Sequence, residues 1–263
     1  MRGMSTLDPK TLYLYLVTDE ATRCRHGLLP TVKEAVAGGV TMVQYRSAQT
    51  DKAAALAELL PLRDYLRSVN VPLIINNNVE LAVEIGADGI HIGQSDMPVA
   101  EARALIGPDM ILGFSVSNQE EMNAVPLDLV DYVGCGPVYP TATKLDAAAD
   151  MGLQSWAAVA ASCPLPVVAI GGIDAARARD ICHLCRRKSA AGRPRPFITH
   201  FLQNPITNHA LHTIRNGSHR AAEITGFTPA CPLSHQQRCS EFHGQCPALR
   251  RCCPGHAATC RRM

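Results

Sequence analysis

The stretch "GPVYPTATK" at 136–144 sets Thr141, Thr143 and Lys144 within four residues, directly after a strand-like run. Two hydroxyls and one ammonium suit a monophosphate group. Upstream, "QYR" at 44–46 places Gln44 and Arg46 two apart, hence on one face of a strand. A guanidinium there can hold a phosphate with two parallel hydrogen bonds. The plainer reading is a salt bridge inside the fold. "NNN" at 76–78 ends another strand with amides that can bind oxygen or the edge of an amino heterocycle, or can cap a helix. In "HIGQSD" at 91–96, Asp96 is a lone carboxylate just past a strand. Such a group serves as a Mg²⁺ ligand or as a cap for the helix beginning near Pro98. His91 reads as an interior histidine without an assigned role. "GFS" at 113–115 offers the single hydroxyl of Ser115, and "AIGGI" at 169–173 brings Gly171 and Gly172 to a strand end that leads into a helix. Helix N-termini attract phosphates through free N–H groups.

These groups need elements to carry them. Strand-like runs occur at 12–19, 41–46, 72–77, 89–93, 111–116, 131–136 and 167–172. Helical patterns lie between them at 30–38, 51–69, 79–86, 98–106, 118–125 and 152–162, with one more starting near Asp174, a plausible N-cap. The periodicity is clearest in 51–69. Strand and helix alternating in this way predict an α/β protein with a parallel, right-handed sheet. Polar residues recur at nearly every strand end, which favours a closed TIM (β/α)₈-type barrel over an open sheet that binds at one switch point. Only seven units can be read, so the expectation is a barrel missing its eighth βα unit. "PFITHFL" from the tail is the one candidate to fill the gap. The region 1–181 is thus read as the barrel, and 182–263 as an irregular tail.

Composition divides at the same place. Residues 1–181 hold 13 Lys and Arg against 21 Asp and Glu, whereas residues 182–263 hold 12 against 2, hidden within a net charge of +2. Eight of the 11 cysteines fall in the tail. The first part reads as a reduced cytoplasmic protein, with no secretory leader and no apolar run long enough to span a membrane. For the tail, "CHLC" at 182–185 and the basic cluster that follows suggest zinc or nucleic acid, but no second C-x₂-C or C₂H₂ spacing accompanies them. Salt-sensitive nucleic-acid binding lost on deleting 182–263 would support that reading. The other reading is a shift of reading frame near codon 180, with a tail that is disordered or poorly packed. Translating codons 175–200 in the other two frames tests it: the idea fails if neither yields a Gly-Ala-Asp-Gly-like strand.

Taken together, "YLVTD", "GGVTMVQYR", "LIINNNVELAVEIGADGIHIGQSD", "ILGFSVSN", "DYVGCGPVYPTATK" and "PVVAIGGI" resemble the thiamine-phosphate synthase family over residues 11–181. The resemblance implies an enzyme that joins a hydroxymethylpyrimidine diphosphate to a thiazole phosphate and releases pyrophosphate, with Mg²⁺ at the barrel mouth. It implies that Gln44, Arg46 and Asn76 hold the pyrimidine diphosphate, with Ser115 and Lys144 on its diphosphate and Asn77 and Asp96 on the metal. Thr141, Thr143 and the backbone at Gly172 would take the thiazole phosphate. Arg46, Lys144 and Ser115 are the residues implied in catalysis, by a dissociative path in which pyrophosphate leaves first. The expected partners are these small molecules, with a homo-oligomer possible in principle and neither membrane nor nucleic acid required.

Three departures stand against the family pattern. Ala48 occupies the place of an expected lysine, Asn77 replaces an aspartate, and the last strand of the type G-A-D-G-x-A-V-V-S is absent. They motivate the alternative of an inactive phosphate-ligand-binding remnant. The related thiazole tautomerases carry a histidine in the loop that here reads "GCGPVYPTATK", and the Pro-Thr-x-Thr-Lys pattern favours the synthase.

Overall fold

The computed structural model describes residues 7–18, 26–141, 149–188 and 197–201. Eight parallel strands form a closed barrel in chain order: β1 (Leu14–Val17), β2 (Met42–Tyr45), β3 (Leu73–Asn76), β4 (Gly89–Ile92), β5 (Ile111–Val116), β6 (Tyr132–Cys135), β7 (Val167–Ala169) and β8 (Phe197–Phe201). The helices between them are α1 (Leu28–Ala37), α2 (Lys52–Ser68), α3 (Val79–Ile85), α4 (Val99–Ile106), α5 (Gln119–Asn123), α6 (Leu153–Ser162) and α7 (Ala175–Lys188). Among the described residues no helix is long and apolar enough to cross a membrane.

The helices form where their caps and apolar stripes dictate. Asp51 accepts from the Ala53 N–H at 3.0 Å to open α2, which buries Ala55, Leu59, Leu62 and Leu66 along one face. Asn78 caps α3 through the Leu81 N–H, and left-handed Gly86 ends it. Asp174 caps α7 through the Arg177 N–H at 2.8 Å, as its position before "AARARDI" implies.

Two apolar layers result. The larger lies between strands and helices, and includes Leu16, Val43, Leu73, Ile90, Leu112 and Val133 from the strands and Leu59, Leu62 and Trp156 from the helices. The smaller fills the barrel interior with Tyr15, Met42, Ile74, Tyr132 and Val168, joined by Leu7 and Leu12 from the segment before β1. Alternate residues along each strand therefore face opposite layers.

The N-terminal end of the barrel is tied by a repeated clamp. The residue just before β2, β4 and β6 accepts an N–H from the first or second residue of the preceding strand. Thr41 accepts from Leu14, Asp88 from Leu73, and Asp131 from Leu112, at 2.8–2.9 Å. Asp131 also holds Arg103 at 2.8 Å with both side chains buried, and Arg103 donates to the carbonyls of Gly107, Met110 and Leu129.

The expected gap is corrected. Phe197–Phe201 forms β8, pairing with β1 through Leu14↔Ile198 to Val17↔Phe201 and with β7 through Val168↔Phe197 and Ala169↔Ile198. Seven strands would leave two edges of unpaired backbone groups, and a β-prone run of Phe, Ile and Thr supplies the missing ladder without the family's sequence motif. Helix α7 also continues through residue 181 to Lys188. An eighth helix is not found among the described residues, and 202–263, which carry most of the expected tail, lie outside them.

Candidate active site at the C-terminal mouth of the barrel

Strand ends bring those expected residues that are described to one end of the barrel. Gln44 is an inward residue of β2, and Arg46 follows it at the same end. The Arg46 backbone N–H donates to Thr18 Oγ1 at 3.1 Å, tying the ends of β1 and β2. Its guanidinium has no ion-pair partner among the described residues, so the interior salt bridge considered for it does not form there. Arg46 is half-buried.

Asn76 ends β3 in register with His91 of β4. Asn77 follows in the left-handed region at φ 62°, and its N–H donates to the His91 carbonyl at 2.9 Å. Asparagine tolerates that conformation better than most residues. Of the three asparagines it is Asn78 that caps the helix. Asp96 does not cap α4. Its Oδ2 accepts from the Gly93 N–H at 2.6 Å and closes the turn after β4, and no hydrogen bond to Oδ1 is found among the described residues.

Ser115, an inward residue of β5, is bonded at 2.8 Å to His91 Nε2. His91 Nδ1 lies 2.9 Å from the Tyr132 hydroxyl, and that hydroxyl lies 2.8 Å from the hydroxyl of Tyr15. Gln44 Nε2 donates to Tyr15 at 2.8 Å. A continuous hydrogen-bonded chain thus crosses the interior from β2 to β5 and links two of the expected site residues. Burial pushes both phenols well above their usual range, so each keeps its proton and remains able to donate.

On the opposite side the loops after β6 and β7 are laced together. Val138 and Tyr139 donate their N–H groups to the carbonyls of Ile170 and Gly171, at 2.8 and 3.1 Å. Gly172, at φ 61°, sits so close to the Pro140 and Tyr139 carbonyls that a Cβ would overlap them. Gly172 is therefore next to Pro140–Thr141, the pairing expected for a phosphate cradle. Arg177 of α7 donates to the Gly172 carbonyl at 2.6 Å and stacks on the Tyr139 ring at 4.8 Å. Sequence reasoning missed this clamp. The Asp174 carboxylate, read as a cap from the sequence, occupies one N–H group of the α7 N-terminus that was also considered for a phosphate. Thr143 and Lys144 lie outside the described residues.

The donors that could hold a metal are hard oxygens. The described residues contain no group of three or more His, Cys, Asp or Glu suited to a metal ion. One open carboxylate oxygen on Asp96, with the amides of Asn76 and Asn77 on the neighbouring strand end, fits a cation that keeps much of its water and shares substrate phosphates. That is the habit of Mg²⁺.

The family model described as thiamine monophosphate synthase matches residues 14–190 of the chain. The chain belongs to the thiamine monophosphate synthase family. Among its relatives, the thiamine-phosphate synthase of Azorhizobium caulinodans is 48% identical over 167 residues, covering 64% of this chain and 79% of that protein. The enzyme of the same name from Chloroflexus aurantiacus is 44% identical over 168 residues, covering 64% and 77%. The relatives bear the name of a transferase. The structure of thiamine phosphate pyrophosphorylase from Pyrococcus furiosus superposes with a TM-score of 0.67 at 27% identity, over 79% of this chain and 96% of that one. A 3-hexulose-6-phosphate synthase superposes with a TM-score of 0.53 at 10% identity, a likeness of fold alone. The family match ends at residue 190, so β8 lies beyond it.

Proposed function

We propose that this chain condenses 4-amino-2-methyl-5-hydroxymethylpyrimidine diphosphate with 4-methyl-5-(2-phosphoethyl)thiazole, giving thiamine phosphate and pyrophosphate. The family match supports the overall reaction, and the observation that carries the reading in this chain is Arg46. A guanidinium without an acidic partner among the described residues, at the mouth of a barrel, is placed to bind a diphosphate and to stabilise the charge it gains on leaving.

In this reading Gln44 and Asn76 orient the pyrimidine, and Arg46, Ser115 and Lys144 hold its diphosphate. Thr141, Thr143 and the Gly172 backbone hold the thiazole phosphate beside it. The loops clamped by Arg177 then bring the thiazole nitrogen toward the carbon that loses pyrophosphate, so positioning replaces acid–base work. Asp96 and Asn77 would hold Mg²⁺. When bound, the cation would neutralise charge on the departing diphosphate. With one carboxylate rather than two, the site should need more Mg²⁺ than a site with an Asn-Asp pair.

The test is to incubate the full chain with both substrates and Mg²⁺ and to measure thiamine phosphate and pyrophosphate. Equal amounts of both are expected; no product and no substrate affinity would refute the reading. Ala48 and Asn77 favour a second reading, a ligand-binding remnant without turnover. Calorimetric binding of the thiazole phosphate or pyrophosphate with no product would select it, and measurable turnover excludes it.

A further inference from the structure

The interior chain from Gln44 to Ser115 has properties that neither end explains. Tyr15 and Tyr132 are 2% and 0% exposed, and His91 only 8%, so three polar groups lie where an apolar filling would serve packing alone. Room for them is built into neighbouring strands. At Gly113, which is paired with both His91 and Tyr132, a Cβ would overlap the Tyr132 ring and His91 Nδ1. At Gly134 a Cβ would stand 3.0 Å from His91 Cε1. Glycine within a strand marks close approach of another group, and here two glycines make space for one histidine–tyrosine contact.

With His91 neutral, a row of hydrogen bonds joining an amide, two phenols, an imidazole and a hydroxyl has two self-consistent directions. Each phenol and the neutral imidazole donates once along the row, so fixing one member fixes all. In the first direction Gln44 Nε2 donates to Tyr15, Tyr15 to Tyr132, Tyr132 to His91 Nδ1, and His91 Nε2–H to Ser115. The Ser115 proton is then left for a ligand, and Gln44 Oε1 is left as an acceptor, with no partner among the described residues. The second direction requires the Gln44 amide turned over. Ser115 then donates inward and offers only lone pairs, while Gln44 presents its N–H₂ to the ligand.

We infer that Tyr15, Tyr132 and His91 are positioning residues that couple recognition at the two ends of one substrate. The inference rests on the function proposed above. An anionic oxygen at Ser115 demands the hydroxyl proton and selects the first direction. The same direction turns the Gln44 carbonyl toward the cavity, where it accepts from an amino group and opposes a carbonyl oxygen. The barrel therefore reads an amino heterocycle and an anion as a joint feature. A ligand that satisfies one end but not the other must leave a buried donor or acceptor unpaired, which is the costly case.

Tyr132→Phe keeps the ring and removes the link. Tyr15 then loses its acceptor and draws the Gln44 carbonyl inward, so the cavity meets Gln44 Nε2. The readout is the ratio of kcat/KM for the 4-aminopyrimidine diphosphate to that for its 4-oxo analogue. The full wild-type chain is expected to favour the amino compound by at least roughly 100-fold, and Tyr132→Phe to reduce that preference by about tenfold or more. Tyr15→Phe serves as the second variant, since it frees Gln44 at the other side of the link and should weaken the preference likewise. In ¹⁵N NMR of the wild type with inorganic pyrophosphate and Mg²⁺, His91 should carry its proton on Nε2. An unchanged amino/oxo ratio in both variants, or a His91 proton on Nδ1 with pyrophosphate bound, overturns the coupling while leaving the proposed function intact. A wild type that binds neither pyrophosphate nor the pyrimidine removes the proposed function and the coupling with it.

Discussion

At the N-terminal end of the barrel, Asp88 and Asp131 accept strand N–H groups, and Arg103 is spent on Asp131 and three carbonyls. At the C-terminal mouth, Arg46 has no acidic partner among the described residues, and Asp96 uses Oδ2 on its own turn. The two ends are made from the same residue types and differ in what satisfies them. Polar groups satisfied by the protein fix strand register and hold the barrel closed. Polar groups left short of partners, on strand ends aimed at one opening, are available to a ligand. In a parallel barrel this division follows from the loops: the βα connections lie at the mouth and can vary without disturbing the ladder.

If that division holds, substitutions at the two ends should fail in different ways. The largest effect is expected at the closed end. Asp131→Ala leaves the Arg103 charge buried without its carboxylate and should cost about 3–5 kcal/mol of stability in denaturant unfolding. Turnover per folded molecule should stay near wild type. At the mouth the pattern reverses. Arg46→Ala should lower kcat/KM for thiamine phosphate formation by roughly 10²–10³-fold with the unfolding midpoint almost unmoved.

A third effect is smaller and shared by the whole interior. Burial pushes the Cys135 thiol from 9.0 up to about 12, and the Tyr15 and Tyr132 phenols rise for the same reason. Above pH 9 the unfolded chain sheds a thiol proton that the folded chain keeps. Stability is therefore complete below pH 9 and is lost as pH rises toward 12, by about 1.4 kcal/mol per pH unit for each group inside its window. Thermal melts across pH 7–11 check this; a flat profile above pH 9 would contradict it. The smallest effect is Asp51→Ala, which removes the α2 cap and should cost about 1 kcal/mol with no change in KM.

The alternating strands and helices were legible because each strand is a short apolar run and several helices begin at a recognisable cap, as at Asp51, Asn78 and Asp174. The mouth residues were legible by position, since a polar residue at a strand end has few other reasons to be there. Strand β8 was legible only as a candidate, because "FITHF" is β-prone but sits in a basic, Cys-rich context away from the family's motif, and its pairing to β1 and β7 is what fixes it. The chain through His91 was hidden for a different reason. Tyr15 and Tyr132 read as ordinary apolar strand residues, and a single sequence does not say which strands will face each other. The available signal was the pair Gly113 and Gly134, each inside a strand and each of no use to a sheet except to admit a neighbour.

The most direct measurement is a calorimetric titration of the full chain with inorganic pyrophosphate and Mg²⁺, comparing wild type with Arg46→Ala at the mouth and with Lys10→Ala, in the short 3-10 turn Pro9–Leu12 that leads into the N-terminal end of β1. The account predicts one saturable site that is lost with Arg46→Ala and unchanged with Lys10→Ala. Equal loss in both variants, or binding that survives Arg46→Ala, would contradict it.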